Sequence, residues 1–202
     1  MRHGKPVLRQ SGWITPAEMA YWIEHYNLSE VETDGAPIAS SQLANSAVCI
    51  VVSTAQRALS SVQVLNHTVS ITDSVFCEAQ LPFALWRFPR LPPYVWVIFF
   101  RLLWLFGYSR GADSIRITKI RAKSAAHKLI ALAENGTVLL VGHGIMNRLI
   151  AKELNALGWA GPKKQESHFW GASIYGLQTQ YCGQEKEARH PYHQITQPTR
   201  AS

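Results

Sequence analysis

The chain has 202 residues, 47% of them apolar, with 20 Lys and Arg against 13 Asp and Glu. That length fits one domain, or one domain with an insertion, and the composition is that of a globular protein with a sizeable core. A formal charge of +7 suits an anionic ligand; nucleic acid is not expected as a partner.

Thr15-Pro16-Ala17-Glu18 reads as a capping box that opens a helix reaching about Leu28. Residues 29–46, rich in Ser, Asp, Gly and Pro, read as a loop. Ala47 to Val52 is a continuous apolar run, as for a strand buried on both faces. Ser53 or Thr54 is expected to cap the next helix, which carries Leu59, Val62 and Leu65 at helical spacing. Ser74-Val75-Phe76 reads as a short strand. Four prolines between Pro82 and Pro93 then break the chain before an apolar helix over Tyr94–Tyr108. Gly107 and Gly111 end that helix, and Asp113 or Ser114 caps a long one reaching about Glu134, where Asn135-Gly136 stops it. Thr137 to Val141 is a second buried strand, Gly144 to Leu157 a helix, and Ala172 to Leu177 a last strand. Residues 1–180 are expected to form one domain, and the polar segment 181–202 to be disordered. Alternating strands and helices imply an α/β three-layer sandwich around a mainly parallel sheet.

Cys49, Cys77 and Cys182 are odd in number and lack metal-ligand spacing, so a reducing, cytoplasmic location is expected. The apolar stretch 94–108 is shorter than the roughly 20 residues of a spanning helix, and Arg101 interrupts it. A buried or pocket-covering helix is the first reading. Peripheral contact with a membrane through 94–108 is the second, because Trp and Arg suit a headgroup layer. The sequence leaves the oligomeric state open.

Three short pieces carry chemistry. The chain begins Met1-Arg2-His3-Gly4. Ser53-Thr54-Ala55-Gln56-Arg57 follows one apolar strand, and Gly142-His143-Gly144 follows another. Groups at the carboxyl ends of parallel strands converge on one side of the sheet. In this order the three pieces resemble the histidine phosphatase superfamily, the phosphoglycerate-mutase-like proteins, over residues 1 to about 178.

The resemblance implies a phosphomonoesterase acting on a small organic phosphate through a phosphohistidine. His3 would be the nucleophile and His143 would stabilise charge on the transferring group. Arg2, Gly4, Arg57 and Gly144 would surround the phosphoryl oxygens, the arginines by bidentate bonds and Gly4 by letting the backbone pass close. These groups supply the positive charge that a metal supplies elsewhere, so neither metal nor cofactor is expected. Glu78, between Phe76 and Leu81, is the expected general acid, with Asp73 as runner-up. Lys5 stands where phosphoglycerate mutases have an acid, which favours a phosphatase-like branch. Asp113-Ser114 and Asn147 are weaker candidates for the pocket. The Pro- and Trp-rich segment 82–111 is expected to lie over the pocket as a lid, and its aromatic and basic character suits an organic phosphate with an apolar part.

The sequence departs from that family in one place. Its members run an apolar central strand into Arg-His-Gly, whereas here only Met1 precedes Arg2. A start recorded downstream of the true one is the favoured account, and a natural loss the other. The alternative function is a catalytically weak or inactive relative that binds a phosphorylated ligand or a protein partner through the same pocket.

Overall fold

The computed structural model describes residues 1–7 and 12–177. Its centre is a parallel sheet of three strands, β1 (Cys49–Val52), β2 (Ile71–Thr72) and β3 (Val138–Val141), in the order β2-β1-β3. β1 pairs with β2 through Val51 and Ile71, and with β3 through Ile50 and Leu139.

Alternation along β1 builds two cores. Ile50 and Val52 face one side, where they meet Ala58, Val62 and Leu65. Val51 faces the other, where Phe76, Ala125, Met146 and Ile150 close over it. The first side carries α2 (Ile38–Ser46) and α3 (Gln56–Val64), and the second carries α5 (Ile115–Ala133) and α6 (Gly144–Ala156). The result is the expected α/β sandwich.

A third cluster sits apart from the sheet. α1 (Met19–Leu28) and α4 (Pro93–Leu105) pack Met19, Trp22, Trp96 and Phe100 around Ala84. The Trp96 indole donates to the Ile14 carbonyl, and the Trp104 indole to that of Asp113. Buried indoles need such partners. Both segments that bring this cluster together, α1 and the 82–111 stretch, border the same cleft.

Several elements differ from the sequence reading. Residues 38–46 form α2 rather than a loop; only Ser40 and Ala44 of it are buried, so the segment carries almost no apolar stripe to reveal it. Ser74–Phe76 is a 3₁₀ turn, because the Asp73 side chain accepts from the Val75 N–H and bends the chain. The strand lies just before it, in β2. The last strand shrinks to β5 (Gly176–Leu177), paired antiparallel with β4 (Trp159–Ala160) outside the main sheet. The capping box of Thr15 and Glu18 forms as expected, with the Glu18 carboxylate accepting from the Thr15 N–H at 2.7 Å. The tail expected over 181–202 lies outside the described residues. No helix among the described residues is long and apolar enough to cross a membrane.

No strand leads into His3. Met1 to His3 form a stub beside the end of β3, with His3 N–H donating to the Gly142 carbonyl and Gly142 N–H to that of Met1. On the stub's other flank Arg2 N–H donates to Gly171. Next to it, a groove of about 510 Å³ runs along Val138–Leu140 and is walled by α5, α6 and residues 171–175. The Met1 ammonium is buried and donates to the Leu140 carbonyl, and burial pulls its pKa down to about 5.

Phe76, fully buried under α5, anchors the turn that leads into Glu78. Phe76→Ala is expected to cost about 3–5 kcal/mol of stability, read as a lower midpoint with unchanged slope in urea denaturation.

Candidate functional site

Three chain segments meet at the carboxyl ends of β1 and β3. The stub brings Arg2, His3 and Gly4; the turn after β1 brings Ser53 and Arg57; the turn after β3 brings His143 and Gly144. Expected cap Ser53 does not cap α3, whose N-cap is Ala55. Its hydroxyl instead bonds His143 Nε2 at 2.7 Å.

The two imidazoles lie side by side with ring centroids 5.1 Å apart. His3 is 2% exposed and His143 fully buried. His3 Nδ1 lies 2.7 Å from the Gly4 carbonyl, an acceptor only, which assigns the hydrogen to Nδ1 and leaves a lone pair on Nε2. Burial, then the positive field of Arg57, pulls the His3 pKa down to about 3 against the bond to Gly4. His143 is held well below the ordinary imidazole value by burial and by the charges of Arg57 and Arg2, with His3 adding to the effect. Both rings are therefore neutral at neutral pH.

Both guanidiniums are held from one end. Arg2 donates through Nη1 to the Ser167 carbonyl and lies over the Phe169 ring at 4.2 Å. Arg57, 2% exposed, donates through Nη1 to the Tyr26 carbonyl and to Asn27 Oδ1, and lies over the Tyr26 ring at 4.7 Å. Burial lowers its pKa. Three buried side-chain nitrogens have no partner: Arg2 Nε, Arg57 Nε and His143 Nδ1. Unsatisfied buried polar groups are rare in folded chains. Here they come from three separate segments around one imidazole.

Gly4 is required by close packing. A Cβ there would lie 2.5 Å from the Trp170 ring. Its N–H donates to Ser61 Oγ, which in turn donates to the Arg57 carbonyl. Ser61 thus links the stub to the helix that carries Arg57.

Glu78 reaches the site, but its surroundings are polar rather than apolar. Its carboxylate accepts from the N–H groups of Ala79, Ile145 and Met146, and so occupies the N-terminus of α6. Gly144 lies between this carboxylate and Arg2. Arg121 fixes the loop from the other side through the carbonyls of Cys77 and Glu78.

The other candidates fall elsewhere. Asp73 pairs with Lys128 and caps the Ser74 turn, away from the cleft. Asn147 does not line the cleft; it is half-buried at the groove beside the stub. It accepts from His143 N–H and donates to the Met1 carbonyl, bracing the stub. Ser114 caps α5, and Lys5 at the cleft rim pairs with Glu32 at 2.8 Å.

Above this cluster opens a cleft of about 920 Å³, whose inner end is bordered by Arg2, Arg57, Glu78, Gly144 and Phe169. The two histidines lie behind this layer. Sequence reasoning placed Ser53 at the strand end but as a helix cap rather than a partner of His143, and it did not single out Ser61 or Phe169.

No family model matches the chain, and no curated protein sequence does. Among solved structures it is similar to the product of the open reading frame Rv3214 from Mycobacterium tuberculosis, at 17% identity, with 74% of each chain covered and a TM-score of 0.49. It is also similar to the mycobacterial glucosyl-3-phosphoglycerate phosphatase Rv2419c, at 19% identity over 78% of this chain and 76% of that one, with a TM-score of 0.45. A mycobacterial hydrolase matches at 17% identity over 87% of each chain, with a TM-score of 0.49. These values describe a loose similarity of chain path and say nothing of what this chain acts on.

The buried neutral imidazoles make stability depend on pH. The unfolded chain protonates His3 near the ordinary value of about 6.5, and the folded chain only near 3. Between those values the unfolded state binds more protons, so native stability falls as pH drops through that window. His143 acts in the same direction. Urea midpoints are expected to fall from about pH 8 downward through the buried Met1 amine and more steeply below about pH 6.5, and His3→Gln and His143→Gln should each flatten only the lower part, separating the imidazole share from that of the amine.

Proposed function

We propose that this chain is a phosphomonoesterase that works through a phosphohistidine on His3. The observation that carries the reading is the set of three orphaned buried nitrogens, Arg2 Nε, Arg57 Nε and His143 Nδ1, around an imidazole whose Nε2 lone pair is free. A tetrahedral dianion supplies acceptors for such donors, and two guanidiniums give the charge to hold it. The order of the motifs along the chain points to the same chemistry.

In this mechanism the phosphoryl group enters at the inner end of the cleft. Arg2 exchanges the Ser167 carbonyl for a phosphoryl oxygen and, with Phe169, swings aside to uncover His3. His3 Nε2 forms a bond to phosphorus as the ester P–O bond breaks. The Gly4 carbonyl takes part by holding Nδ1–H, which stabilises the imidazolium that forms on phosphorylation. The leaving oxygen takes a proton from Glu78. Oε2 is the oxygen suited to carry it, because Oε1 accepts from Ala79 and Met146 as well as Ile145, whereas Oε2 accepts from Ile145 alone. Water then attacks phosphorus, gives its proton to Glu78, and releases phosphate and His3. Arg57 and His143 hold the equatorial oxygens in both steps.

The test is hydrolysis of p-nitrophenyl phosphate with acid-labile, base-stable phosphoenzyme trapped on the way. His3→Ala is expected to lower kcat by at least about 10³-fold and abolish the trapped species. Arg57→Lys, which removes the orphaned Nε, should lower kcat/KM by about 10²-fold. Glu78→Gln should slow alkyl phosphates far more than p-nitrophenyl phosphate, whose leaving group needs no proton. A His3→Ala protein with the parent rate would sink the phosphohistidine route.

A further inference from the structure

The cleft of about 920 Å³ is at the upper end of the roughly 300–1,000 Å³ of ligand pockets, and a phosphate takes little of it. From Arg57 and Glu78 it runs outward between α1 and α4. Trp22, Ile23 and Tyr26 form the α1 wall; Tyr94, Ile98 and Leu102, at a spacing of four, form a single stripe of α4. Trp22 and Tyr26 stack with ring centroids 5.3 Å apart.

Several of the polar groups along these walls are already bonded to protein. Arg101 donates to the carbonyls of Ala79 and Gln80. Lys5 pairs with Glu32, Asn27 accepts from Arg57, and Thr54 bonds Cys77. Arg148, exposed one turn beyond Gly144, is the cation of the lining with no bond among the described residues. A sugar or nucleotide body would lay its hydroxyls largely against the apolar side chains of Trp22, Ile23, Ile98 and Leu102, which is unfavourable where they stay unpaired. The apolar wall, by contrast, is open: Ile98 is 63% exposed and Leu102 52%.

On the phosphatase reading above, we infer that the substrate is an amphiphilic phosphate monoester, its phosphate seated among Arg2, Arg57 and His143 and its extended apolar chain lying between α1 and α4. The ester P–O bond breaks as the His3 N–P bond forms, the alkanol oxygen takes the Glu78 proton, and water releases inorganic phosphate and returns a proton to Glu78. The apolar chain takes no part in the chemistry; it contributes binding in proportion to the area it covers.

Alkylphosphonates test the chain site without turnover, because they have no ester bond to break. Below micelle-forming concentrations, calorimetric Kd values should fall about threefold per added methylene between about four and ten carbons. Ile98→Ser and Leu102→Ser, at exposed positions where folding is not at stake, should flatten that dependence. Equal affinity for methyl- and decylphosphonate would overturn the inference.

Matched alkyl phosphates then test the chemistry. Chain-length-dependent phosphonate binding with no monoester cleaved would remove the phosphatase reading and leave the ligand class standing. His3-dependent cleavage that is indifferent to chain length, or fastest for glycerol phosphate, would remove the ligand class and leave the phosphatase reading. Faster turnover of a long-chain monoester in uncharged phospholipid vesicles than as monomer would mark a membrane lipid as the source, and the reverse a soluble amphiphile; either ranking supports the class.

Discussion

Everything at the site depends on how residues 1 to 3 are held. The stub is pinned on one flank by the Gly142 pairing and on the other by Gly171 and Trp170, whose N–H donates to the Arg2 carbonyl. Backbone bonds of this kind alternate sides along the chain, so fixing the carbonyl of Met1 and the N–H of His3 toward β3 leaves those of Arg2 facing the opposite flank. Asn147 ties the Met1 carbonyl to the helix behind His143. Through these few bonds the stub places His3 beside His143 and next to the helix bearing Arg57. The Gly4–Ser61–Arg57 chain of bonds completes the frame. This short segment is positioned by its neighbours, and loosening either flank would move Arg2 and His3 relative to Arg57 and His143.

That frame brings together like charges. Arg2 and Arg57 each depress the pKa of His3 and of His143, and Arg57 is itself desolvated. The aromatic rings of Phe169 and Tyr26 offset part of this by facing the guanidiniums. They do not satisfy Nε of either arginine. The cluster thus gathers unpaired donors of like charge, and core packing beneath it, from Val52 and Val141, holds the backbone that carries them. An anion that completes the set gains from buried donors what it would have to share with water on an open surface.

Much of this was legible in the sequence, for reasons that differ between elements. The runs Ala47 to Val52 and Thr137 to Val141 announce β1 and β3 because strands covered on both faces are apolar almost throughout. The convergence of Arg57 and His143 follows once those strands are parallel, because parallel strands end on the same side; Arg2 and His3 join them through the pairing of the stub with Gly142, which the sequence does not announce. Glu78 was legible in position but not in surroundings: Phe76 and Leu81 flank it in sequence, whereas the backbone donors of Ile145 and Met146 surround it in space. Helix α2 was hidden because a Ser- and Ala-rich segment with two buried residues has the composition of a loop. Ser53 and Ser61 escaped because a serine's partner is set by the tertiary fold; each has the spacing of an ordinary helix-cap or helix-surface residue. The turn at Ser74 was misread because Asp73 competes for the backbone that a strand would use.

The place Glu78 takes has a consequence for how an anion is held. A helix N-terminus following a strand is a ready anion site, with free N–H groups and a favourable dipole. In this chain the first turn of α6 gives those N–H groups to the protein's own carboxylate. On the phosphatase reading proposed above, a phosphoryl group is therefore held by side-chain donors, the two arginines and His143, rather than by the helix. It also shares the space next to Gly144 with a carboxylate, and two anions there repel unless one carries a proton.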